Sequence, residues 1–334
     1  MFDHLVFIGR FQPFHNGHKD IIDYALQHSK NVIILVGSAT SPRTIRNPFT
    51  FDERKSMIDS VYKDHRRKIT ILPLSDIVYN DNKWVKSIQD IVSKNIDVLN
   101  PKIGLIGHNK DNSSYYLSLF PNWHSVNVDI KQDSLSATHV RGLIYNNLNH
   151  NEVTHHVIAN MIDSFKESDG FKNIKSEYDH IREYKKAWSV APYAPTFITS
   201  DAVVVQSGYI LLIERKHSPG KGLLALPGGF VNQDETLKDA CIRELIEETK
   251  LNVPTSTLYK SISQQKPYDD PFRSDRGRTI TSAFLIELEN DPNGLPQVKG
   301  SDDATDAFWL PLNELSQSNM FEDHYSIIQD LLGL

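Results

Sequence analysis

The chain reads as two units of different class: an α/β unit on an open parallel sheet, then an α+β unit with a mixed sheet. Three observations support this. The 334 residues are about twice the ~150 of a common domain. As far as about residue 145, short all-apolar runs alternate with helical spacing, the pattern of strands buried on both faces between crossover helices. From Thr196 a hairpin pattern and one strongly acidic helix replace that alternation.

Taken in order, Leu5-Val6-Phe7-Ile8, Asn31 to Val36, Ile69 to Leu74 and Ile103 to Gly107 are expected strands. Helical spacing runs from Thr50 to Ile58 and from Trp84 to Val92, and Thr50 with Glu53 has the spacing of a capping box. Such alternation places ligands beyond the carboxyl ends of the strands. Val153, Val157, Ile158, Met161, Ile162 and Phe165 repeat as one face of a helix. Ser168-Asp169-Gly170 then reads as punctuation, closing a first unit of residues 1–170. Residues 171–195 read as a linker, charged from Lys175 to Lys186 and ended by Ala191-Pro192-Tyr193-Ala194-Pro195, which cannot continue a helix. In the second unit, 196–334, Asp201 to Ile213 reads as two strands turned at Ser207-Gly208. A helix from Leu237 to Lys250, strands at Thr281–Glu287 and Ala307–Leu310, and a helix from Tyr325 to Leu332 complete the pattern.

Composition narrows the function classes. Hydrophobic residues make up 39% and mean hydropathy is −0.40; no run approaches the ~18 apolar residues of a membrane span. The opening strand lacks the layout of a signal peptide. Cys241 is the only cysteine, which excludes an internal disulfide and suits a reducing cytoplasm. It falls within a helical pattern, as a small buried hydrophobe does. A net charge of −6 speaks against a nucleic-acid surface. Small molecules are the expected partners, and a homo-oligomer is left open.

The first candidate site lies where the opening strand runs into Gly9-Arg10-Phe11-Gln12-Pro13-Phe14-His15-Asn16-Gly17-His18. Gly17 permits close backbone approach, and amides at a helix start favour anions. Transfer of a nucleotidyl group needs alignment and donors on the oxygens where charge develops. Two imidazoles and Arg10 aimed at one phosphate chain would supply both.

The second candidate site is a helix face. Glu244, Glu247 and Glu248 stand at i, i+3 and i+4, so three carboxylates share one side. Hard divalent cations, Mg²⁺ or Mn²⁺, prefer such oxygen ligands, neutralise a pyrophosphate and activate water.

Both stretches resemble known families. Gly9-x-Phe11-x-Pro13-x-His15-x-Gly17-His18 resembles the nucleotidyltransferase signature GxFxPxHxGH, which implies a Rossmann-like unit. Gly37-Ser38-Ala39, with Arg46-Asn47-Pro48-Phe49-Thr50-x-x-Glu53-Arg54, is similar to archaeal-type nicotinamide mononucleotide (NMN) adenylyltransferases. That resemblance implies a site of Gly9, Arg10, Phe11, His15, His18, Arg46, Ser136, Thr138 and Arg141 around the phosphates. It also implies Trp84 stacked on the nicotinamide, Gly107 and Asn109 lining the nucleotide site, and ATP and NMN as substrates with Mg²⁺. Nicotinate mononucleotide is the alternative acceptor.

Gly229, Glu235, Arg243-Glu244-Leu245-x-Glu247-Glu248 and Leu251 resemble the Nudix box GX5EX7REUXEEXGU, with U an aliphatic residue. Lys250 stands where that box has its last glycine, which puts the turn at the helix end in doubt. The resemblance implies a metal set of Gly228, Glu244, Glu247 and Glu248, with Arg243 orienting a glutamate and Glu235 supporting the loop. The Ser274–Ile280 stretch, with Asp302-Asp303, is similar to ADP-ribose pyrophosphatases and to Nudix-related regulators. It implies that Arg276 and Arg278 clamp a diphosphate or ribose phosphate, and that Asp302 and Asp303 assist metal or water. Adenylyltransferase followed by Nudix unit is the order of a bacterial bifunctional family making NAD and hydrolysing ADP-ribose. The competing expectation is a Nudix half that senses ADP-ribose without cleaving it.

Overall fold

The computed structural model describes residues 1–107, 116–128 and 136–334. These divide into two compact units, Met1–Lys175 and Ser176–Leu334. Among the described residues, no helix is long and apolar enough to cross a membrane.

In the first unit the strands are β1 (Phe2–Gly9), β2 (Ser29–Val36), β3 (Ile69–Pro73), β4 (Ile103–Gly107) and β5 (His124–Asn127). They pair in the order β3-β2-β1-β4-β5, every pair parallel. The order reverses between β1 and β4, so the crevice for a ligand opens beyond Gly9 and Gly107. Helices α1 (Asn16–His28), α2 (Phe51–Val61), α3 (Asp81–Ser93), α4 (Ala137–Tyr145) and α5 (His156–Lys166) follow the expected alternation. Val6, Ile33, Leu35 and Leu105 are almost fully buried and pack with Ile88 and Val92 of α3. Thr50 caps α2: its hydroxyl accepts from Glu53 N–H, and the Glu53 carboxylate accepts from Thr50 N–H. That is the expected capping box.

The stretch read as punctuation behaves differently. Ser168 Oγ accepts from Phe171 N–H at 3.1 Å, so the serine caps a helix start. Helix α6 (Asp169–Ala187) runs from there through most of the stretch expected as a linker, and the two compact units divide inside it. Its charged residues are i,i+3 partners on a solvated face, as in Lys172–Asp169 at 2.9 Å.

The second unit carries β6 (Thr196–Gln206), β7 (Tyr209–Arg215), β8 (Leu224–Ala225), β9 (Gly228–Phe230), α7 (Leu237–Thr249), α8 (Thr255–Lys260), β10 (Ile262–Tyr268), β11 (Arg278–Glu287), β12 (Ala304–Pro311) and α9 (His324–Leu332). The sheet is mixed: β11 runs parallel to β6, whereas β7, β9, β10 and β12 pair antiparallel. Ser207 and Gly208 both take positive φ, the conformation a two-residue hairpin turn demands. Cys241, Leu245, Ala202 and Phe284 form the core that seats α7 on the sheet. Burial pushes the Cys241 thiol well up, which fits a structural residue.

Candidate active sites

At the first site, β1 ends at Gly9, whose carbonyl accepts from Gly37 N–H at 2.9 Å and so ties the ends of β1 and β2. Phe11 has φ +51 and lies buried, turned back so that a Cβ on Gly9 would come within 2.9 Å of its ring. Phe11 therefore sits among the rings of Phe7, Phe14 and His18, with His18 4.7 Å away. This packing is the physical basis of the Gly-x-Phe spacing.

His15 caps α1, and its ring stacks on that of His18 with centroids 3.7 Å apart. His15 N–H donates to His18 Nδ1 at 3.3 Å, which leaves the proton of a neutral His18 on Nε2 as a donor. Burial, then the neighbouring His15, hold the His18 imidazole well below its usual range. The expected histidine pair is thus one stacked unit at the sheet's switch point.

Residues outside the histidine motif hold this loop in place. Gln12 pairs with the Phe49 backbone through both ends of its amide, at 2.9 Å each. Arg54, 1% exposed, donates to the carbonyls of Thr50, Arg10, Gly37 and Ser38. Arg141 is buried, donating to Gln12 O at 2.9 Å and Thr138 Oγ1 at 3.2 Å. In this placement it braces the histidine loop and joins it to α4. Ser136 caps α4 by accepting from His139 N–H at 3.2 Å. Arg10 is exposed and Arg46 half-buried. Trp84 lies in the first turn of α3, with its ring edge-on to Tyr116 and Phe120 at 6.2 and 6.4 Å. It packs against the core while staying half exposed. Gly107 ends β4 and accepts from Val128 N–H; Asn109 lies outside the described residues.

At the second site, β9 runs Gly228-Gly229-Phe230 along β6, with Gly229 opposite Ser200 and Gly228 opposite Asp201. Arg243 is the hub. Its guanidinium donates to Glu235 at 2.9 and 2.6 Å, to Glu244 Oε1 at 2.8 Å, to Glu247 Oε2 at 3.0 Å and to Phe230 O at 3.2 Å. The hydrogen bonds from Arg243 hold the Glu235 carboxyl down at about 2. Arg243 thus contacts three glutamates at once, and Glu235 also accepts from Asn232 N–H at 2.8 Å. Glu248 is buried and accepts from Gly228 N–H at 2.9 Å; burial pushes it up to about 8. Burial also raises Glu244. Gly228 thus presents its amide to Glu248.

In this structure the three acids of the α7 face are divided between two partners. Among the described residues, no three His, Cys, Asp or Glu side chains converge as an ion-holding group. The reason is local: Arg243 draws Glu244 and Glu247 to itself, and Glu248 turns to the β9 backbone. Lys250 does keep the helix-end turn, adopting the left-handed conformation itself at φ +46, ψ +34. Arg276 lies over the rings of Phe230 and Phe321, at 5.4 and 5.9 Å, and 3.7 Å from Glu322. That places it beside the Gly229 loop. Arg278 instead binds the carbonyl and carboxylate of Asp269. Asp302 and Asp303 are exposed, and Asp302 is close enough for its charge to act on Glu244.

Sequence reasoning passed over Gln12 and gave no task to Arg54. A further omission is the buried set around Arg273, which pairs with Asp323 at 2.9 and 2.8 Å. Most of their partners lie well beyond one helical turn, so no local spacing signals them. The one available hint was arginine within a helix that otherwise reads as amphipathic.

Two family models match in tandem, a cytidylyltransferase-like family over residues 6–142 and the NUDIX domain over 196–331. The molecule is therefore a nucleotidyltransferase unit followed by a Nudix unit. A bifunctional NMN adenylyltransferase/ADP-ribose pyrophosphatase from Francisella tularensis, solved with AMP and a manganese ion, superposes with a TM-score of 0.92 at 38% identity, covering 100% of this chain and 99% of that one. A nicotinamide/nicotinic acid mononucleotide adenylyltransferase from Acinetobacter baylyi is 40% identical over 53% of this chain and 94% of its own length. An ADP-ribose pyrophosphatase from Methanocaldococcus jannaschii is 36% identical over 42% of this chain and 75% of its own. The chain belongs to the bifunctional NMN adenylyltransferase/Nudix hydrolase family.

Proposed function

We propose that the first unit transfers AMP from ATP to NMN, giving NAD and pyrophosphate, and that the second hydrolyses ADP-ribose to AMP and ribose 5-phosphate. The observation that carries this is the tandem arrangement, matched from end to end by the Francisella enzyme. In the first reaction an NMN 5′-phosphate oxygen attacks the α-phosphorus of ATP in line, and the bond to the β-phosphate oxygen breaks. His18, as an N–H donor stacked on His15, stabilises charge on the transferring phosphate. Arg10 and Arg46 add cationic donors, with Ser136, Thr138 and Arg141 on the terminal phosphates. Gly107 lines the nucleotide, and the half-exposed Trp84 lies against the nicotinamide. Mg²⁺ would neutralise charge on the ATP phosphates.

The acid face of α7 fits Mg²⁺ or Mn²⁺. Its donors are all oxygen, and burial disfavours the charged forms of Glu248, pushed up to about 8, and of Glu244, forms that a dication would favour. Glu244, Glu247 and Glu248, with Gly228, would hold the ion, which supplies neutralisation of the pyrophosphate and a more acidic water. Arg276 and Arg278 would clamp the diphosphate or ribose phosphate. Retention of the full acid set favours hydrolysis over sensing. The single buried cysteine and the absence of an apolar spanning helix among the described residues support a cytoplasmic setting.

The test is a product assay on the purified chain. ATP, NMN and Mg²⁺ should yield NAD and pyrophosphate; ADP-ribose with Mg²⁺ or Mn²⁺ should yield AMP and ribose 5-phosphate. Unchanged substrate in either tube defeats that half. Running nicotinate mononucleotide beside NMN measures acceptor preference, which the dual name of the Acinetobacter relative makes worth measuring.

A further inference from the structure

The ends of β1 and β2 are joined by one side chain that no motif assigns a task. Arg54, on α2, is 1% exposed. Its Nε donates to Thr50 O at 3.1 Å, Nη1 to Arg10 O at 2.7 Å and to Gly37 O at 2.6 Å, and Nη2 to Ser38 O at 3.0 Å. One guanidinium thus binds three elements: the helix start, the loop after β1 that carries Arg10 to His15, and the loop after β2. Burial pulls Arg54 down only to about 10, so it stays charged at neutral pH.

The loop it grips is strained. Ser38 has φ +50, a left-handed conformation that a residue with a Cβ rarely adopts. Its backbone is held on both flanks, by Arg54 at the carbonyl and by Asp76 Oδ1, which accepts from its N–H at 3.1 Å. Asp76 also accepts from Ser41 Oγ and is the leading acidic influence on Arg54. Four carbonyls turned toward one buried cation cannot relax outward without leaving that charge unpaired.

We propose that Arg54, backed by Asp76, is a positioning residue for adenylyl transfer, setting the backbone from which Arg10 and the His15–His18 pair address the phosphate chain. The inference rests on the adenylyltransferase reading of the first unit. A planar fork is required, because a lysine ammonium is a compact charge on a flexible stem and cannot span four carbonyls on three elements. A displacement of about 1 Å at such a site costs roughly 10²-fold in rate.

The test uses the full chain and single-turnover AMP transfer with ATP, NMN and Mg²⁺. The single-turnover rate constant does not depend on the fraction of folded enzyme, so a purely structural loss leaves it unmoved. For Arg54→Lys the expected result is a fall of roughly 10- to 100-fold, with ADP-ribose hydrolysis by the same sample unchanged. A rate constant within two-fold of the parent overturns the proposal. If Arg54→Lys leaves no folded first unit by circular dichroism, Asp76→Asn decides: a fall of at least ~5-fold in the same constant supports the proposal and an unchanged one overturns it. A parent chain that makes no NAD at all defeats the underlying reading instead, a result distinct from both.

Discussion

A Cβ on Gly229 would stand 2.5 Å from Glu244 Oε1. The glycine of the second site is there because a carboxylate passes directly over its backbone, and Arg243 holds that carboxylate from the other side at 2.8 Å. Gly9 plays the same part for Phe11 at the first site, with the ring 2.9 Å from where its Cβ would be.

These two close approaches predict separable defects. Gly229→Ala should push Glu244 off Arg243 and lower ADP-ribose hydrolysis by roughly 10²-fold, with NAD formation intact. Gly9→Ala should do the reverse, displacing a ring that is 1% exposed. Each variant should lose about 1–3 kcal/mol of stability from overpacking. Paired assays of both activities on both proteins check this; loss of both activities in either variant would sink it.

Glu235 links stability to acid pH. Its folded pKa is about 2 against an ordinary 4.5, chiefly through Arg243. The folded state therefore binds the proton less well than the unfolded chain. Its contribution is complete above pH 4.5 and lost as pH falls toward 2. Melting temperature measured across that window should fall more steeply in the parent than in Glu235→Gln.

His324 works in a higher window. It is buried, accepts from Leu226 N–H through Nδ1 at 2.9 Å, and burial plus Arg273, Arg215 and Arg276 hold it well below its ordinary 6.5. The folded form excludes the proton, so stability is complete above pH 6.5 and declines as pH drops below it. Replacement by glutamine, which keeps an acceptor without the charge, should flatten that decline in a denaturant titration of the second unit.

Lys250 offers a gain. A lysine in the left-handed conformation carries a cost of about 1–2 kcal/mol that glycine escapes, partly offset by the greater freedom of glycine in the unfolded chain. Lys250→Gly should raise second-unit stability by about 0.5–1 kcal/mol without changing hydrolysis. A lower melting temperature would contradict the assignment of strain.

The legible features were those that local spacing carries. The His15–His18 interval implied a pair at one helix start and the rings do stack. The Ser207-Gly208 dipeptide implied a two-residue turn, and both residues have positive φ. Short, exposed strands were not legible: β5 is mostly exposed and exists because β4 offers it an edge. Asp169-Gly170 misled because the same dipeptide that ends one element also opens another, and only the Ser168 cap on Phe171 shows which.

Sequence alone determined which chemistries the two units carry, because a catalytic helix face or a helix-start loop spans fewer than about 20 residues and its geometry follows from helical or turn periodicity. Tertiary structure alone decided what holds those groups. Arg54 reaches Arg10 and Ser38, Gln12 reaches Phe49, Arg273 reaches Asp323, and the acids of α7 lean on Arg243 and on β9. Most of these are buried polar groups satisfied across long chain separations, and burial leaves them no water to bond instead. Most of their partners are set by which elements pack together, a choice no local spacing records.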